Sequence, residues 1–274
     1  MPITLSPLRY PGGKTQLYNY TQSLIEKNNL LGCTYVEPYA GGSGLALALL
    51  NNEVVDNIIL NDIDRSIYAF WNTVLTNNDK LCEKIISTDI TINEWYKQKE
   101  IQNNKSTAEL FELAFSTLFL NRTNHSGIIT AGPIGGYNQN GNYKLNCRFN
   151  KKSILQKLNL IDSYKDKIHF YNLDAIEFFH QLDNHNNIFI FLDPPYFYKG
   201  KELYTNYYDT NNHITLAKEI AKLNHKWIVT YDNVDEIKQI YQDYISREYT
   251  IKYSANTSYK GTEVMFYSPN LNPV

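Results

Sequence analysis

The run Ile188-Phe189-Ile190-Phe191-Leu192 is apolar throughout and stops at Asp193-Pro194-Pro195-Tyr196. An unrelieved apolar run of this length suits a strand buried on both faces, as in parallel sheets covered by helices. Such a strand delivers the four residues that follow it to the carboxyl edge of the sheet, where open α/β folds hold their ligands. The two prolines stiffen the turn and remove two backbone donors, yet leave carbonyl acceptors in place. One carboxylate oxygen and one fixed carbonyl can accept both hydrogens of a planar amino group. The tyrosine beside them can stack on the flat ring that bears it. This pattern suits chemistry on the exocyclic amine of a nucleobase. Taken alone, the same four residues also read as an edge-of-sheet turn with an incidental aspartate.

The chain on either side supports an α/β reading. Thr34 to Glu37 reads as a short buried strand, Pro38 to Gly44 as a glycine loop, and Leu45 to Leu50 as a helix. Strand, loop and helix form the opening unit of a doubly wound sheet. Gly41, Gly42 and Gly44 are spaced wrongly for the dinucleotide fingerprint, and no lysine follows in phosphate-loop register. Asn57 to Asp62 is the second strand and ends on an acid, which can accept bonds from two ribose hydroxyls. Asp62 lies nearer the strand end than its competitor Asp64, and Ser66 to Leu75 is helical by its apolar spacing.

From there the texture changes. Asp79 to Ile101 and Thr107 to Leu120 read as amphipathic helices with no strand between them, and residues 121–150, rich in Gly, Asn and Tyr, as a loop or hairpin. Strands resume at His169 to Asn172, which leads to Asp174 and a helix over Ala175 to Leu182. A helix from His213 to Leu223 precedes the strand Trp227 to Tyr231. Tyr249 to Tyr253 and Glu263 to Tyr267 form a terminal hairpin. The organisation expected is one α/β domain, residues 1–75 plus 161–274, with a mainly helical insertion at 76–160.

The formal charge of the 274-residue chain is -2, which excludes indiscriminate coating of a polyanion and confines any such contact to a local basic surface. That surface is legible. From Leu113 to Ile161 there is no Asp or Glu, while Arg122, Lys144, Arg148, Lys151, Lys152 and Lys157 all fall there. Phosphates call for Lys and Arg, and base edges for Arg, Asn and Gln. Arg122, Asn124, Tyr137, Asn138, Lys144 and Arg148 are the candidate DNA contacts, with a merely solvated basic face as the alternative. Cys33, Cys82 and Cys147 are too scattered for a metal motif or a disulfide framework, which points to a reducing cytoplasm and no metal. No stretch approaches a membrane span. Ahead of the first core strand, Gly12-Gly13-Lys14 can open a helix at Thr15. Lys14 then either reaches a carboxylate or base edge or is a solvated turn residue.

Four pieces in order, Tyr10-Pro11-Gly12-Gly13-Lys14, Glu37 to Gly44, Asn61-Asp62 and Asp193 to Tyr196, resemble the Dam-like, alpha-group adenine-N6 DNA methyltransferases. The resemblance spans essentially the whole chain. It implies a Rossmann-like class I sheet, seven-stranded and mostly parallel, that binds S-adenosylmethionine (AdoMet), with the insertion as target-recognition region. It places Tyr10 and Lys14 in the cofactor and target pocket, and Glu37, Pro38, Ala40, Gly41 and Gly42 around the methionine part. Asp62 would hold the ribose and Asp174 would lie near the cofactor's adenine. Asp193 and the Pro194 carbonyl would grip the target amine, with Asp193 also near the cofactor, and Tyr196 would stack on an extruded base. Double-stranded DNA is the partner implied. A cognate restriction endonuclease, and a monomer or weak dimer, stay open. Two runs, Asn121 to Asn124 and Gly132 to Gly136, do not match the best-known GATC-reading hairpin. The alternatives are an inert DNA-binding module on this scaffold, an RNA adenine enzyme, and a cytosine-N4 enzyme, in which Ser more often stands at the position of Asp193.

Overall fold

The computed structural model describes residues 4–9, 13–183, 185–198, 208–253 and 259–274. Seven strands, β1 (Thr34–Glu37), β2 (Asn57–Asn61), β3 (Ile168–Tyr171), β4 (Ile188–Leu192), β5 (Lys226–Asp232), β6 (Ser246–Tyr253) and β7 (Tyr259–Tyr267), form one sheet in the order 3-2-1-4-5-7-6. The first five are parallel, and β7 runs antiparallel between β5 and β6. Strand order reverses between β1 and β4, where Thr34 pairs with Ile188 and Val36 with Ile190. The segments that follow β1 and β4 therefore leave the sheet side by side, at the switch point where such folds bind ligands.

Alternation along the central strands explains why β4 must be apolar throughout. Tyr35, Phe189 and Phe191 join one hydrophobic cluster, with Leu49, Phe70 and Trp71 from the helices on that face. Val36, Ile190 and Leu192 join the other, with Phe178, Leu216 and Ile220. Among the described residues, the helices of the α/β frame are α1 (Tyr18–Lys27), α2 (Gly44–Asn51) and α3 (Arg65–Thr76) before the insertion, and later α8 (Ala175–Gln181), α9 (Thr210–Ile220) and α10 (Asp235–Ile240). None of the helices described is long and apolar enough to cross a membrane.

Between them lie α4 (Asn78–Ser87), α5 (Ile92–Asn103), α6 (Leu110–Thr123) and α7 (Lys151–Ser163). The expected single helix over Asp79 to Ile101 is two. Thr88 turns its hydroxyl back to the Lys84 carbonyl (2.7 Å), and Thr91 caps the next helix by accepting from the Glu94 N–H (3.2 Å). Helix α6 is buried along most of its length rather than amphipathic. Phe115, Leu118 and Phe119 belong to the same cluster as Tyr35 and Phe189, so the insertion shares the main core. Of the two readings of 121–150, loop or hairpin, the loop holds, and there is no strand ladder among the described residues. It has one isolated bridge, Asn124 to Pro133, and two single 3-10 turns, His125–Gly127 and Leu145–Arg148. Gln139 supplies the order a ladder would have given: its amide donates to the Ile134 carbonyl (2.8 Å) and accepts from the Leu145 N–H (2.9 Å).

Candidate active site

The loop after β1 is fixed by the ends of its neighbours. Asn61, the last residue of β2, donates through Nδ2 to the carbonyls of Pro38 (3.0 Å) and Leu173 (3.1 Å), and its Oδ1 accepts from the Leu173 N–H (3.0 Å). One buried amide thus ties together the carboxyl ends of β1, β2 and β3. Asp62 accepts from the Gly41 N–H (2.9 Å) and the Asp64 N–H (2.9 Å), and the indole of Trp71 donates to the Gly41 carbonyl (2.9 Å). Gly41 sits at φ +46°, where a side chain is disfavoured. At Gly44 a Cβ would come within 2.5 Å of the Thr15 hydroxyl, so only glycine lets α2 start against the N-terminal segment. Asp64 has a different task. It caps α3 by accepting from the Ser66 N–H (2.9 Å) and pairs with Lys105 (3.0 Å). Burial pushes the carboxyl pKa values of Asp62 and Glu37 up to about 7 each.

At the end of β4, Asp193 sits in a network drawn from both ends of the chain. Its Oδ1 meets Lys14 Nζ (3.0 Å) and accepts from the Thr230 hydroxyl (2.8 Å). Lys14 also pairs with Glu263 (3.2 Å) and donates to the Tyr196 hydroxyl (2.9 Å). Tyr196 and Tyr249 each donate a short bond to Glu263, whose side chain is fully buried. Burial by itself would lower the Lys14 pKa, but the charges of Asp193 and Glu263 outweigh it and hold the ammonium well above its ordinary range. Burial, aided by Glu263, raises the Asp193 carboxyl above its usual value against the pull of Lys14. Both bonds to Asp193 fall on Oδ1. Among the described residues none donates to Oδ2 or to the Pro194 carbonyl, and the Asp193 side chain remains 23% exposed. Asp232, at the end of β5, accepts from the backbone N–H of Phe197 (2.9 Å) and so fixes the turn from behind.

A cavity of about 470 Å³ joins these parts. Gly41, Gly42, Asp62 and Glu37 line it together with Lys14 and Asp193. That volume is ordinary for a small-molecule site. Ala40 also lines it, while Pro38 lies buried behind the loop.

The other expected residues are placed as follows. Tyr10 lies outside the described residues. Asp174 is exposed, caps α8 through the Ile176 N–H (2.9 Å), and does not line the cavity. Tyr196 is only 3% exposed, and its hydroxyl is turned into the Lys14–Glu263 cluster, so its ring is covered rather than presented for stacking. Of the expected DNA contacts, Arg122 lines the cavity. Tyr137 is exposed and stacks near Tyr96 (ring centroids 6.4 Å), while Asn138 and Arg148 are exposed. Lys144 folds back onto the Gln139 carbonyl (2.6 Å). Asn124 is a correction: it is fully buried, donating to the carbonyls of Ile128 (3.0 Å) and Ile129 (2.9 Å) and accepting from the Trp95 indole (2.6 Å), which leaves nothing for a base.

The geometry also adds residues that motif reading missed. Glu263, Thr230 and Asp232 come from β5 and β7. Glu263 carries a sequence signal, as a charge set against the apolar run Val264-Met265-Phe266 in an expected strand.

The sheet order and the cavity at its switch point define a class I methyltransferase fold. Residues 10–257 match the family of D12 class N6 adenine-specific DNA methyltransferases, and the chain belongs to it. Two relatives align over most of their length. The type II methyltransferase M.MjaIII of Methanocaldococcus jannaschii is 24% identical over 91% of this chain and 92% of its own. M.CviBI, a type II methyltransferase of Paramecium bursaria Chlorella virus NC1A, is 23% identical over 90% of each. Among solved structures, the rRNA methyltransferase AviRa of Streptomyces viridochromogenes aligns with 94% of this chain and 85% of its own, at 12% identity and a TM-score of 0.42. The chain is thus an adenine-specific DNA methyltransferase, and its family and fold imply AdoMet as methyl donor.

Proposed function

We propose that the cavity receives AdoMet against the glycine loop and Asp62, and receives beside it an adenine extruded from double-stranded DNA, whose N6 is gripped by Asp193 and the Pro194 carbonyl. The observation that carries this reading is the asymmetry of Asp193: Lys14 and Thr230 fix one carboxylate oxygen, and the other is left for a ligand in the same cavity as Asp62. The residues fit the cofactor. Asp62 stands at a strand tip to accept ribose hydroxyls, Gly41 and Gly42 allow close backbone approach, and Glu37 and Asp193 suit a sulfonium cation. Bound there, AdoMet supplies an electrophilic methyl group.

The chain's own part is alignment. The N6 lone pair is delocalised into the purine ring, and bonding both amino hydrogens to Asp193 Oδ2 and the Pro194 carbonyl makes the nitrogen more tetrahedral and more electron-rich. Two fixed acceptors then hold it in line for transfer. As positive charge grows on N6, the carboxylate stabilises it and accepts the proton that N6 releases. Lys14 keeps the carboxylate oriented. Extruding the base costs a few kcal/mol, and pocket contacts offset that cost. The two type II relatives favour a role beside a cognate endonuclease, in the cytoplasm. The alignment of a virus-encoded relative keeps genome marking as the second reading.

Asp193→Ala is expected to lower methylation of genomic DNA by at least a thousandfold while AdoMet binding, followed by calorimetry, survives within about tenfold. Modified-base sequencing of DNA from cells expressing the wild-type chain reads the target base and motif together. Full activity in Asp193→Ala, or methyl groups on cytosine, defeats the proposal.

A further inference from the structure

Four cations gather where the N-terminal segment and the insertion meet at the cavity wall. Arg9 and Arg122 line the cavity itself, the exposed Arg148 neighbours both of them, and Lys157 neighbours Arg122. Among the described residues, no carboxylate forms an ion pair with any of the four. Their hydrogen bonds go to backbone carbonyls instead: Arg9 to Asn124 (3.4 Å), Arg122 to Pro7 (3.4 Å) and Lys157 to Ser6 (3.0 Å). Among the described residues the buried Nε of Arg122 has no partner.

The cluster is held in place against its own repulsion. Asn121 clasps the Arg9 backbone from both sides, accepting from its N–H (2.7 Å) and donating to its carbonyl (2.8 Å), and the same amide donates to the Gly127 carbonyl (2.8 Å). Gly127 lies at φ +79°, and a Cβ there would meet the Arg9 carbonyl oxygen at 2.6 Å. Burial, with Arg9 and Arg148 as neighbours, pushes Arg122 down to about 10. Burial and Arg148 lower Arg9, and burial and Arg122 lower Lys157. Like charges fixed together without a counter-ion are the condition an incoming anion relieves.

We infer that Arg9, Arg122, Arg148 and Lys157 form a cradle for the backbone phosphates of DNA that flank the extruded nucleotide. The inference rests on the DNA-methyltransferase reading and names a subsite within it. A nucleotide whose base reaches Asp193 brings its flanking phosphates to the wall where Arg9 and Arg122 stand. The rival anion is the carboxylate of AdoMet. That ligand also carries a sulfonium and an amine, and it fits better among Glu37, Asp62 and Asp193 than among four cations. Two of the four, Arg9 and Lys157, come from outside the glycine-rich loop, so the cradle ties the N-terminal segment to the recognition region.

The test is the salt dependence of binding to a 30-base-pair mixed-sequence duplex, together with AdoMet titration of the same proteins. In R9Q/R148Q the slope of log affinity against log salt is expected to shrink by about two, about one for each phosphate charge no longer neutralised. AdoMet affinity should stay within twofold. R148Q alone, an exposed position, should shrink the slope by about one and guards against a folding defect in the pair. K167Q, at the opposite edge of the sheet, is expected to leave the slope within about 0.3 of wild type. An unchanged slope in R9Q/R148Q overturns the cradle. So does a K167Q effect of equal size, or a tenfold loss of AdoMet affinity with the slope intact. Wild-type protein that binds AdoMet but not the duplex defeats the parent reading instead, and the two failures are told apart in one experiment.

Discussion

The floor of the cavity and the loop of the insertion are both held by side-chain hydrogen bonds, but those bonds have opposite reach. At the floor Lys14 bonds Tyr196 and Glu263 across sequence separations of 182 and 249 residues. In the insertion, Asn124, Gln139 and Lys144 bond backbone groups three to six residues away. The floor exists only when both ends of the chain have folded onto the central sheet. The start of the loop is anchored from a distance, by Arg9 on Asn121, Trp95 on Asn124 and Lys99 on the Ile129 carbonyl, but from Ile134 to Leu145 it folds on its own neighbours. A change in the loop can therefore re-aim the exposed Tyr137, Asn138 and Arg148 without disturbing Asp193, whereas a change at the floor reaches fold and chemistry together.

The strongest way to break that contrast is at Glu263. Leaving a buried charge without its partner costs about 3–5 kcal/mol, and Glu263 is the second carboxylate on Lys14 and the acceptor for two tyrosines. Glu263→Ala is expected to lose several degrees in thermal midpoint and most methylation activity at once. Glu263→Gln, which keeps the acceptor but not the charge, should recover part of both. Scanning calorimetry beside a methyl-transfer assay reads the two. A Glu263→Ala protein that melts normally and still methylates would show that the floor does not depend on long-range bonds.

The same contrast explains which residues are legible in the amino-acid sequence. Asp193, Asp62 and Lys14 are legible because each stands where a strand ends or glycines gather. Such positions are marked in one dimension. The register of β1 with β4 is not marked, yet it is what sets the glycine loop beside Asp193. Thr230 and Glu263 lie inside strands, where sequence shows alternation but not which distant side chain an inward residue meets. Asn124 misleads for the opposite reason. An asparagine in an acid-free, Gly-rich stretch suits a base edge, and only the path of the loop around it shows that its amide is already spent on residues 128 and 129. Tyr196 belongs to both cases, since the motif names the residue but not the direction of its hydroxyl.

Asn124 gives the intermediate effect. Removing its amide strands the buried Trp95 indole, at about 1–3 kcal/mol for the group left unpaired. It also takes one of two donors from each of the Ile128 and Ile129 carbonyls, which keep the Ala131 N–H and Lys99 respectively. Asn124→Ala should therefore lower the thermal midpoint while AdoMet affinity stays as it was. Should the variant melt like wild type and discriminate less between target and non-target duplexes, Asn124 is a base reader after all and the loop opens on DNA.

The smallest effect concerns Asp62, which grips the loop over which AdoMet is proposed to lie, at a sequence separation of 21 residues, between the two extremes of reach. Burial places its carboxyl at about 7, so it is largely ionised at pH 8 and largely protonated at pH 6. The ionised form can accept two ribose hydroxyls while still accepting from the Gly41 N–H, and the protonated form has fewer lone pairs to offer. AdoMet affinity should thus fall as pH drops through 7, approaching tenfold per unit below it, or about 1.4 kcal/mol. Asp62→Asn should bind more weakly at pH 8 and lose the slope. The ligand's own amine titrates against both proteins, so the difference between the two curves isolates Asp62. If the variant keeps the full slope, the titrating group is Glu37, also raised to about 7 by burial on the same cavity wall, and the ribose contact moves away from the strand tip.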